Sequence, residues 1–244
     1  MPVSVVVDRA ALMRAAAERV VTSAAEAIER HGRFDWALSG GSTPEQLYTL
    51  LASRELLPRI DWSRVSFFFG DERCVPPDDP QSNYRMARVS LLGPLGVPAE
   101  RVHRMLGELG AEVAAERYQA ELGRCLERGG HGLPVFDLVL LGMGADGHTA
   151  SLFPGTAALE EPTRWVAGSR PDGLVPRVTL TLPLINAARR VLFLVSGADK
   201  AQAAREVLHG SSALPLPAAR VQPLAAEAEW LLDAAAASSL GSVR

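Results

Sequence analysis

Short segments that are apolar on both faces constrain the fold of this chain more than any other feature. The segments "VSFFFG" (65–70), "DLVLLG" (137–142) and "VLFLVSG" (191–197) carry runs of apolar side chains where a half-buried strand would alternate apolar with polar ones. Such runs are typical of parallel β-strands that helices cover on both sides. Further strand patterns occupy residues 3–7, 34–39, 165–168 and 178–182. The chain is therefore predicted to contain a mainly parallel sheet with helices on both faces.

Helical patterns separate most of these strands. Asp8 can cap a helix that repeats apolar residues every fourth position and stops at Gly32, and Gly210 closes another helix over residues 199–208. The same spacing predicts helices over residues 114–126 and 224–237, and a Pro-rich surface connection (211–223) before the second of these. Strand–helix alternation indicates an α/β fold. A length of 244 residues fits one domain spanning residues 1–244.

Composition limits the partners and the compartment. The 25 basic and 28 acidic residues give a net charge of −3 without a block of like charge, so we expect neither nucleic acid nor a membrane as a partner. The N-terminal residues lack the pattern of a signal peptide, and no apolar run reaches the ~18 residues of a membrane span. Cys74 and Cys125 form no C-x-x-C and have no histidine at metal-ligand spacing, which argues against a disulfide framework or a zinc site. We expect a cytoplasmic protein.

Four polar segments each begin where a predicted strand ends. They are "SGGSTP" (39–44), "GDER" (70–73), "GMGADGH" (142–148) and "SGADK" (196–200). In an open parallel sheet, ligands bind beyond the carboxyl ends of the strands. The four segments are therefore predicted to share one edge of the sheet, and that coincidence indicates a site more strongly than any single motif.

The first segment has the features of a phosphate-binding turn. Gly40 and Gly41 permit close backbone approach, while Ser42 and Thr43 supply hydroxyl groups. Pro44 is favoured in the first turn of a helix, whose free N–H groups and dipole suit a phosphate. The alternative is a plain strand-to-helix turn with a capping Ser or Thr. Because G-x-x-x-x-G-K is absent, the expected ligand is a small phosphorylated metabolite and not a nucleotide.

Charged residues on other segments are candidates for anion recognition. Asp71 and Arg73 flank Glu72 directly after a strand, although a solvated charged loop is the alternative. Lys200 opens a helix, where a cation opposes the helix dipole and therefore needs a reason such as an anion partner. Arg177 precedes another strand and is a weaker candidate, because a lone arginine is more often a surface residue.

The glycine-rich segment resembles a dinucleotide-binding turn only at first sight. Its G-x-G-x-x-G is not followed by a strand with an acidic residue about 20 positions on, which such a site requires. Asp146 would also place a carboxylate against the pyrophosphate. His148 lies at the predicted edge with that carboxylate two positions earlier, an arrangement that suits a general base. The segment is therefore interpreted as a catalytic loop.

Taken together, the motifs are similar in order and separation to those of the 6-phosphogluconolactonase family. The similarity runs from about residue 34 to 233 and includes "LSGGSTP", "FFFGDERCVP…DPQSNY", "FDLVLLGMGADGHTASLFPG" and "RVTLTLPLINAARRVLFLVSGADKAQ", of which the "GMGADGHTASLFP" block is the most specific. The resemblance implies a Rossmann-like α/β fold shared with aminosugar-phosphate isomerases. It implies hydrolysis of 6-phospho-D-glucono-1,5-lactone to 6-phosphogluconate, the second step of the oxidative pentose phosphate pathway. The expected partner is that phosphosugar lactone, bound by a monomer without cofactor or metal.

The resemblance also implies roles for particular residues. The catalytic histidine of the family falls on His148, its partner carboxylate on Asp146 and the motif arginine on Arg73. The phosphate loop falls on residues 40–43, and Lys200 matches the lysine that follows the later strand. Cys74 departs from the family, where a larger and often aromatic residue is expected, which puts the local lining of the pocket in doubt.

Two other functions compete with the lactonase. Aminosugar-phosphate deaminases carry "DEY" in place of "DER" and an acidic residue five places after the histidine, where this chain has Phe153. A non-catalytic sugar-phosphate sensor would append a basic DNA-binding helix pair, whereas residues 1–33 show the pattern of one amphipathic helix. Both comparisons favour the lactonase.

Overall fold

The computed structural model describes residues 1–210 and 215–241. Within them the strands are β1 (Val3–Val6), β2 (Phe34–Leu38), β3 (Val65–Phe69), β4 (Asp71–Arg73), β5 (Leu138–Leu141), β6 (Val166–Ser169), β7 (Arg177–Leu180), β8 (Val191–Val195) and β9 (Glu229–Asp233). The α-helices are α1 (Arg9–His31), α2 (Ser42–Leu51), α3 (Asn83–Ala87), α4 (Ala111–Cys125), α5 (Leu182–Asn186) and α6 (Ala201–His209). The predicted strand–helix alternation and the α/β class are confirmed.

A parallel sheet of strand order β1-β9-β8-β5-β2-β3 forms the centre of the molecule. All of its pairings are parallel, and β2, β5 and β8 are buried at every position, which explains the continuous apolar sequences of β5 and β8. Because the strands run in one direction, their carboxyl ends lie along one edge. The buried apolar residues around them, from Leu12 to Ala236, form one cluster, and the single domain over residues 1–244 stays a prediction.

A smaller antiparallel sheet of order β4-β7-β6 accompanies the parallel one. It combines the strands predicted near residues 166 and 178 with Asp71–Arg73. The alternative of a solvated charged loop is wrong, because Asp71 and Glu72 are only 6% and 3% exposed. Helix α4 packs against β6 and β7.

The first helix begins and ends where the sequence predicts. Asp8 accepts a hydrogen bond from the backbone N–H of Ala11 at 2.7 Å, and Gly32 ends the helix in a left-handed conformation at φ 82°. The predicted apolar face, which includes Leu12 and Val20, is buried. No helix within the described ranges is long and apolar enough to cross a membrane.

The prediction of a helix over residues 224–237 is wrong. Residues 229–233 form β9 instead, which lies between β1 and β8 and pairs with both. Trp230 stacks on Phe193 of β8 with ring centroids 3.8 Å apart and is completely buried. The alanine-rich spacing favours a helix locally, but the pairing with two strands and the burial of Trp230 override that propensity.

The Pro-rich connection lies only partly at the surface. Residues 211–214 of the predicted stretch lie outside the described residues. Pro217 and Ala218 are buried in a short 3-10 turn, and the N–H of Ala218 donates to the carbonyl oxygen of Gly147 at 3.0 Å. This stretch therefore supports the glycine-rich loop that follows β5.

Candidate active site

A cleft of about 260 Å³ opens at the carboxyl edge of the parallel sheet. Nearly all of the site residues predicted from the sequence line it: Gly40, Gly41, Ser42, Thr43, Asp71, Arg73, His148, Arg177 and Lys200. Asp146, the remaining candidate, lies outside this lining and contacts His148. The fold thus brings the four polar segments together, while the roles assigned to these residues stay predictions.

The turn after β2 leads into α2 without a side-chain cap. Gly41 occupies the position before the helix with φ 102°, and no side chain hydrogen-bonds to the first N–H groups. The hydroxyls of Ser42 and Thr43 instead accept hydrogen bonds from Nη2 of Arg9 at 3.3 and 3.1 Å. The plain capped turn is therefore not what the structure contains. The uncapped N–H groups remain available to an anion.

Lys200 borders the same cleft from the segment after β8. Its Nζ lies 2.8 Å from Oδ2 of Asp199, whose side chain is 66% exposed. The hydrogen bond from Lys200 lowers the pKa of Asp199. Exposed ion pairs contribute little to stability, so an incoming anion can replace Asp199 as the partner of Lys200.

Arg73 and Arg177 place two positive charges opposite each other on neighbouring strands. They are Cα partners in the β4–β7 register, and both line the cleft. Each guanidinium keeps a buried Nε that has no hydrogen-bond partner among the described residues. Burial lowers the pKa of Arg177 below its ordinary range. Because like charges directly opposite destabilise a sheet, an anion bound beside the two guanidinium groups would relieve their repulsion.

The two carboxylates beside Arg73 hold this wall of the cleft together. Glu72 does not line the cleft, and it accepts hydrogen bonds from the backbone N–H groups of Arg73 and Asn83 at 2.8 and 2.7 Å. Asp71 lines the cleft, yet its oxygens accept from Oγ of Ser151 at 2.6 Å and Nδ2 of Asn83 at 3.0 Å. Both carboxylates therefore position their neighbours in this structure.

His148 and Asp146 form a pair suited to proton transfer. Nδ1 of His148 lies 2.6 Å from Oδ1 of Asp146, and the backbone N–H of His148 donates to the same oxygen at 3.2 Å. Burial opposes ionisation of Asp146, but these hydrogen bonds hold its pKa below the usual value. A carboxylate can only accept, so the proton lies on Nδ1 and Nε2 keeps a lone pair. The imidazole is therefore arranged as a base.

Gly144 leaves the space that this pair occupies. A Cβ at position 144 would lie 2.1 Å from Nδ1 of His148 and 2.5 Å from Oδ1 of Asp146. At Gly142 the nearest atom to such a Cβ is Oγ of Ser39, at an ordinary 3.9 Å. The segment after Gly147 forms turns instead of the helix that a dinucleotide-binding turn opens. The glycine-rich loop thus serves a histidine–carboxylate pair.

An aromatic ring connects the base with one of the arginines. The rings of His148 and Phe153 stack with centroids 4.1 Å apart, and the guanidinium of Arg177 lies 5.2 Å from the Phe153 centroid. Arg177 and His148 therefore both contact the ring of Phe153, and Ser42 and Thr43 line the same cleft from the start of α2.

Comparison with known proteins agrees with this geometry. Residues 7–230 match the family described as glucosamine-6-phosphate isomerases/6-phosphogluconolactonase. The chain belongs to this family. A 6-phosphogluconolactonase from Nostoc sp. is 42% identical over 240 residues, which cover 98% of each chain, and one from Homo sapiens is 41% identical, covering 95% of this chain and 89% of the human one. The solved structure of a 6-phosphogluconolactonase from Trypanosoma cruzi superimposes with a TM-score of 0.89 at 32% identity, covering 99% and 97% of the two chains.

This member of the glucosamine-6-phosphate isomerase/6-phosphogluconolactonase family has site residues that sequence reasoning missed. Asn83 lines the cleft and accepts a hydrogen bond from Nη1 of Arg73 at 2.8 Å, and a Cβ on Gly40 would collide with its amide at 2.0 Å. Asn83 belongs to the "DPQSNY" motif of the family resemblance, and that motif is the feature of the sequence that could have identified it as a site residue. Asp233 accepts a hydrogen bond from Oγ of Ser196 at 2.5 Å. Sequence reasoning missed this residue because it assigned residues 224–237 to a helix and not to a strand of the sheet.

Arg9 was missed because it lies before the similarity that begins near residue 34. The signal that could have found it is its position just beyond β1, another strand that ends at this edge. The departure at Cys74 does not affect the cleft, since Cys74 is not among its lining residues. Both Cys74 and Cys125 are half-buried free thiols and not fully buried apolar residues.

Proposed function

We propose that this chain hydrolyses 6-phospho-D-glucono-1,5-lactone to 6-phosphogluconate, the second step of the oxidative pentose phosphate pathway. The observation that carries this proposal is the meeting, at one cleft, of the His148–Asp146 pair and the uncapped turn at residues 40–43. A base and an anion-binding turn that line the same cleft match a substrate with a lactone and a phosphate. The relatives named 6-phosphogluconolactonase support the same activity.

The chemistry needs a base but no covalent nucleophile, because a six-membered lactone is already an activated ester. Nε2 of His148 takes a proton from the water that attacks C1, and Asp146 orients the imidazole and stabilises its positive charge. The C1–O bond of the ring then breaks, and the proton passes from His148 to the departing ring oxygen. General-base catalysis of this kind contributes roughly 10²–10⁴-fold.

Cationic and backbone groups stabilise the rest of the substrate. Arg73 and Arg177, together with N–H groups of the glycine-rich loop, face the oxyanion that develops at C1, where each donor contributes about 10²–10³-fold. The N–H groups at the start of α2 bind the phosphate with Lys200 and Arg9. Anchoring the phosphate orients C1 against His148, which reduces the entropic part of the barrier.

The aminosugar-phosphate deaminase is the less favoured activity. At the position where that branch is expected to carry an acid for ring opening, this chain has Phe153, which stacks on His148. Ring opening would therefore lack its acid, whereas lactone hydrolysis requires only the base and the oxyanion donors.

We further propose that the chain works as a monomer in the cytoplasm without a nucleic-acid partner. The near balance of 25 basic and 28 acidic residues supports a small-molecule partner.

Two substrates and one variant test the activity. The chain is supplied separately with the phosphogluconolactone and with glucosamine 6-phosphate, and acid release is compared with ammonia release. His148→Ala is expected to lower kcat by roughly 10²–10⁴-fold while 6-phosphogluconate still binds, and His209→Ala, on the exposed end of α6, serves as the control. Undiminished turnover in His148→Ala would show that the base is another group. Ammonia release would identify a deaminase, and turnover of neither substrate a sensor.

A further inference from the structure

A histidine, a glutamate and a cysteine meet at a place that the lactonase chemistry does not use. Nδ1 of His103 lies 2.7 Å from Oε1 of Glu121. Sγ of Cys125 lies 3.4 Å from the same oxygen and 3.7 Å from Nδ1 of His103. None of the three lines the catalytic cleft. Nitrogen, oxygen and sulfur ligands on one spot are the combination that zinc-class ions prefer.

Two separate elements hold these side chains in place. Glu121 and Cys125 are four residues apart on α4 and therefore share one face of the helix. His103 follows the 3-10 turn at residues 99–101, and its backbone N–H donates to the carbonyl oxygen of Phe67 at 2.8 Å. Its ring stacks on Phe68 with centroids 4.5 Å apart at 14°. The imidazole is thus held by β3 on its ring face and by Glu121 of α4 at Nδ1.

Two of the three distances between the ligand atoms match those expected around a tetrahedral ion, where each such distance is one edge of the tetrahedron. Bond lengths of ~2.0–2.1 Å to nitrogen and oxygen and ~2.3 Å to sulfur give ligand–ligand edges of about 3.4–3.6 Å. The two edges that include Sγ of Cys125 measure 3.4 and 3.7 Å. The His103–Glu121 edge, at 2.7 Å, is closed by a hydrogen bond that an ion would replace.

We propose that His103, Glu121 and Cys125 bind a divalent transition-metal ion of the zinc class, with a water molecule as the fourth ligand. An open groove of about 630 Å³ lined by His103 and Glu121 gives the ion and the water access. Binding uses the lone pair of Nδ1, so the proton of the neutral imidazole moves to Nε2. The thiol loses its proton to solvent as the sulfur–metal bond forms, and no electrons are transferred.

The charges around the cluster set the conditions for binding. Sγ of Cys125 is placed to donate to Oε1 of Glu121 at 3.4 Å, so an ion that binds there must displace the thiol proton. Arg124 pairs with Oε2 of Glu121, so it does not compete for Oε1, the oxygen that faces His103 and Cys125. Arg104 also lines the groove, but Glu108 compensates its charge at 2.6 Å. Arg117 adds a positive charge, which weakens cation binding and makes the thiolate essential.

Such an ion would join α4 to the segment that follows β3. Because the unfolded chain does not hold the three ligands together, the ion stabilises the folded state and raises Tm. The sequence alone argues against a zinc site because His103 and Cys125 are far apart along the chain. Only the fold brings the two side chains together.

Cobalt(II) provides a direct probe, because a thiolate ligand gives a charge-transfer band in the near ultraviolet. The protein is treated with a chelator, desalted and titrated with Co²⁺, and Zn²⁺ is then added as a competitor. One equivalent of Co²⁺ is expected to produce the band, and Zn²⁺ to abolish it. Cys125→Ala is expected to remove the band and His103→Ala to weaken binding at least ~10-fold.

The second cysteine of the chain supplies the matched control. Cys74→Ala is expected to keep both the cobalt band and the rise in Tm with Zn²⁺, while Cys125→Ala loses both. Circular dichroism and lactone hydrolysis without metal show whether each variant is folded. Absence of the band in the parent protein, or its persistence in folded Cys125→Ala, would overturn the proposal.

Discussion

Gly144→Ala is the substitution that most sharply tests the role of the glycine-rich loop. The added methyl group would lie 2.1 Å from Nδ1 of His148 and 2.5 Å from Oδ1 of Asp146. Ordinary contact between a methyl carbon and such atoms is about 3.5 Å, so the imidazole must retreat by more than ~1 Å. This movement breaks or distorts the 2.6 Å hydrogen bond that orients the base.

The size of the effect follows from that displacement. A misplacement of about 1 Å lowers a rate by ~10²-fold, and loss of the orienting carboxylate lowers it further. We expect kcat to fall by roughly 10²–10³-fold, which corresponds to about 3–4 kcal/mol of activation free energy. KM should change by less than about threefold, because the phosphate-binding turn is untouched.

Gly142→Ala is the matched control in the same loop. Its Cβ would meet nothing closer than 3.9 Å, and neither glycine has a positive φ, so the two substitutions differ mainly in contact with the pair. Acid release from the phosphogluconolactone in a pH-indicator assay measures kcat, and binding of 6-phosphogluconate checks the cleft. The reasoning is refuted if Gly144→Ala retains kcat within about threefold of the parent, or if Gly142→Ala is equally impaired.

Three further outcomes are expected. Arg9→Met should raise KM for the phosphorylated lactone about tenfold or more but leave hydrolysis of unphosphorylated gluconolactone unchanged in steady-state assays, with the exposed Arg14→Met as control. Glu72→Gln should lower the free energy of unfolding in urea by about 2–4 kcal/mol, because a carboxylate only 3% exposed loses acceptor capacity for its N–H donors. Burial raises the pKa of Asp35 to about 6, so its ionisation destabilises the fold fully above that pH, and this penalty disappears as the pH falls towards the ordinary aspartate pKa of about 3.9. Asp35→Asn should therefore raise Tm at pH 8, and this gain should shrink as the pH falls through 6; a gain equally large at pH 4 would contradict the assignment.

The positions of most candidate site residues could be predicted because they follow directly from strand direction. Once the strands are parallel, the segments after β2, β3, β5 and β8 must lie at one edge, and the sequence shows where each strand ends. The contacts between the segments could not be predicted in this way. Asn83, for example, joins Asp71 to Arg73 through side-chain geometry that no local pattern encodes.

The wrong helix over residues 224–237 has a different physical origin. Local alanine content and spacing describe only what the segment prefers in isolation, whereas its final structure depends on β1 and β8, which are distant in sequence. The same distance concealed the role of Asp233, whose carboxylate accepts hydrogen bonds from the turn at Ser196. Long-range pairing thus limits what can be inferred from a single sequence.

The insertion of β9 between β1 and β8 also governs when the molecule can become active. Val3 pairs with Trp230, so β1 can form its strand pairing only after residue 230 has been synthesised. At ~5–20 residues per second this delay is about 11–45 s. Ser196 and Gly197, once synthesised, also lack the carboxylate of Asp233 that holds their turn beside Lys200 until β9 follows. The turn beside Lys200 is therefore completed only once β9 has been synthesised, and a nascent chain interrupted before β9 would expose unpaired edges of β1 and β8 for chaperones or proteases to recognise.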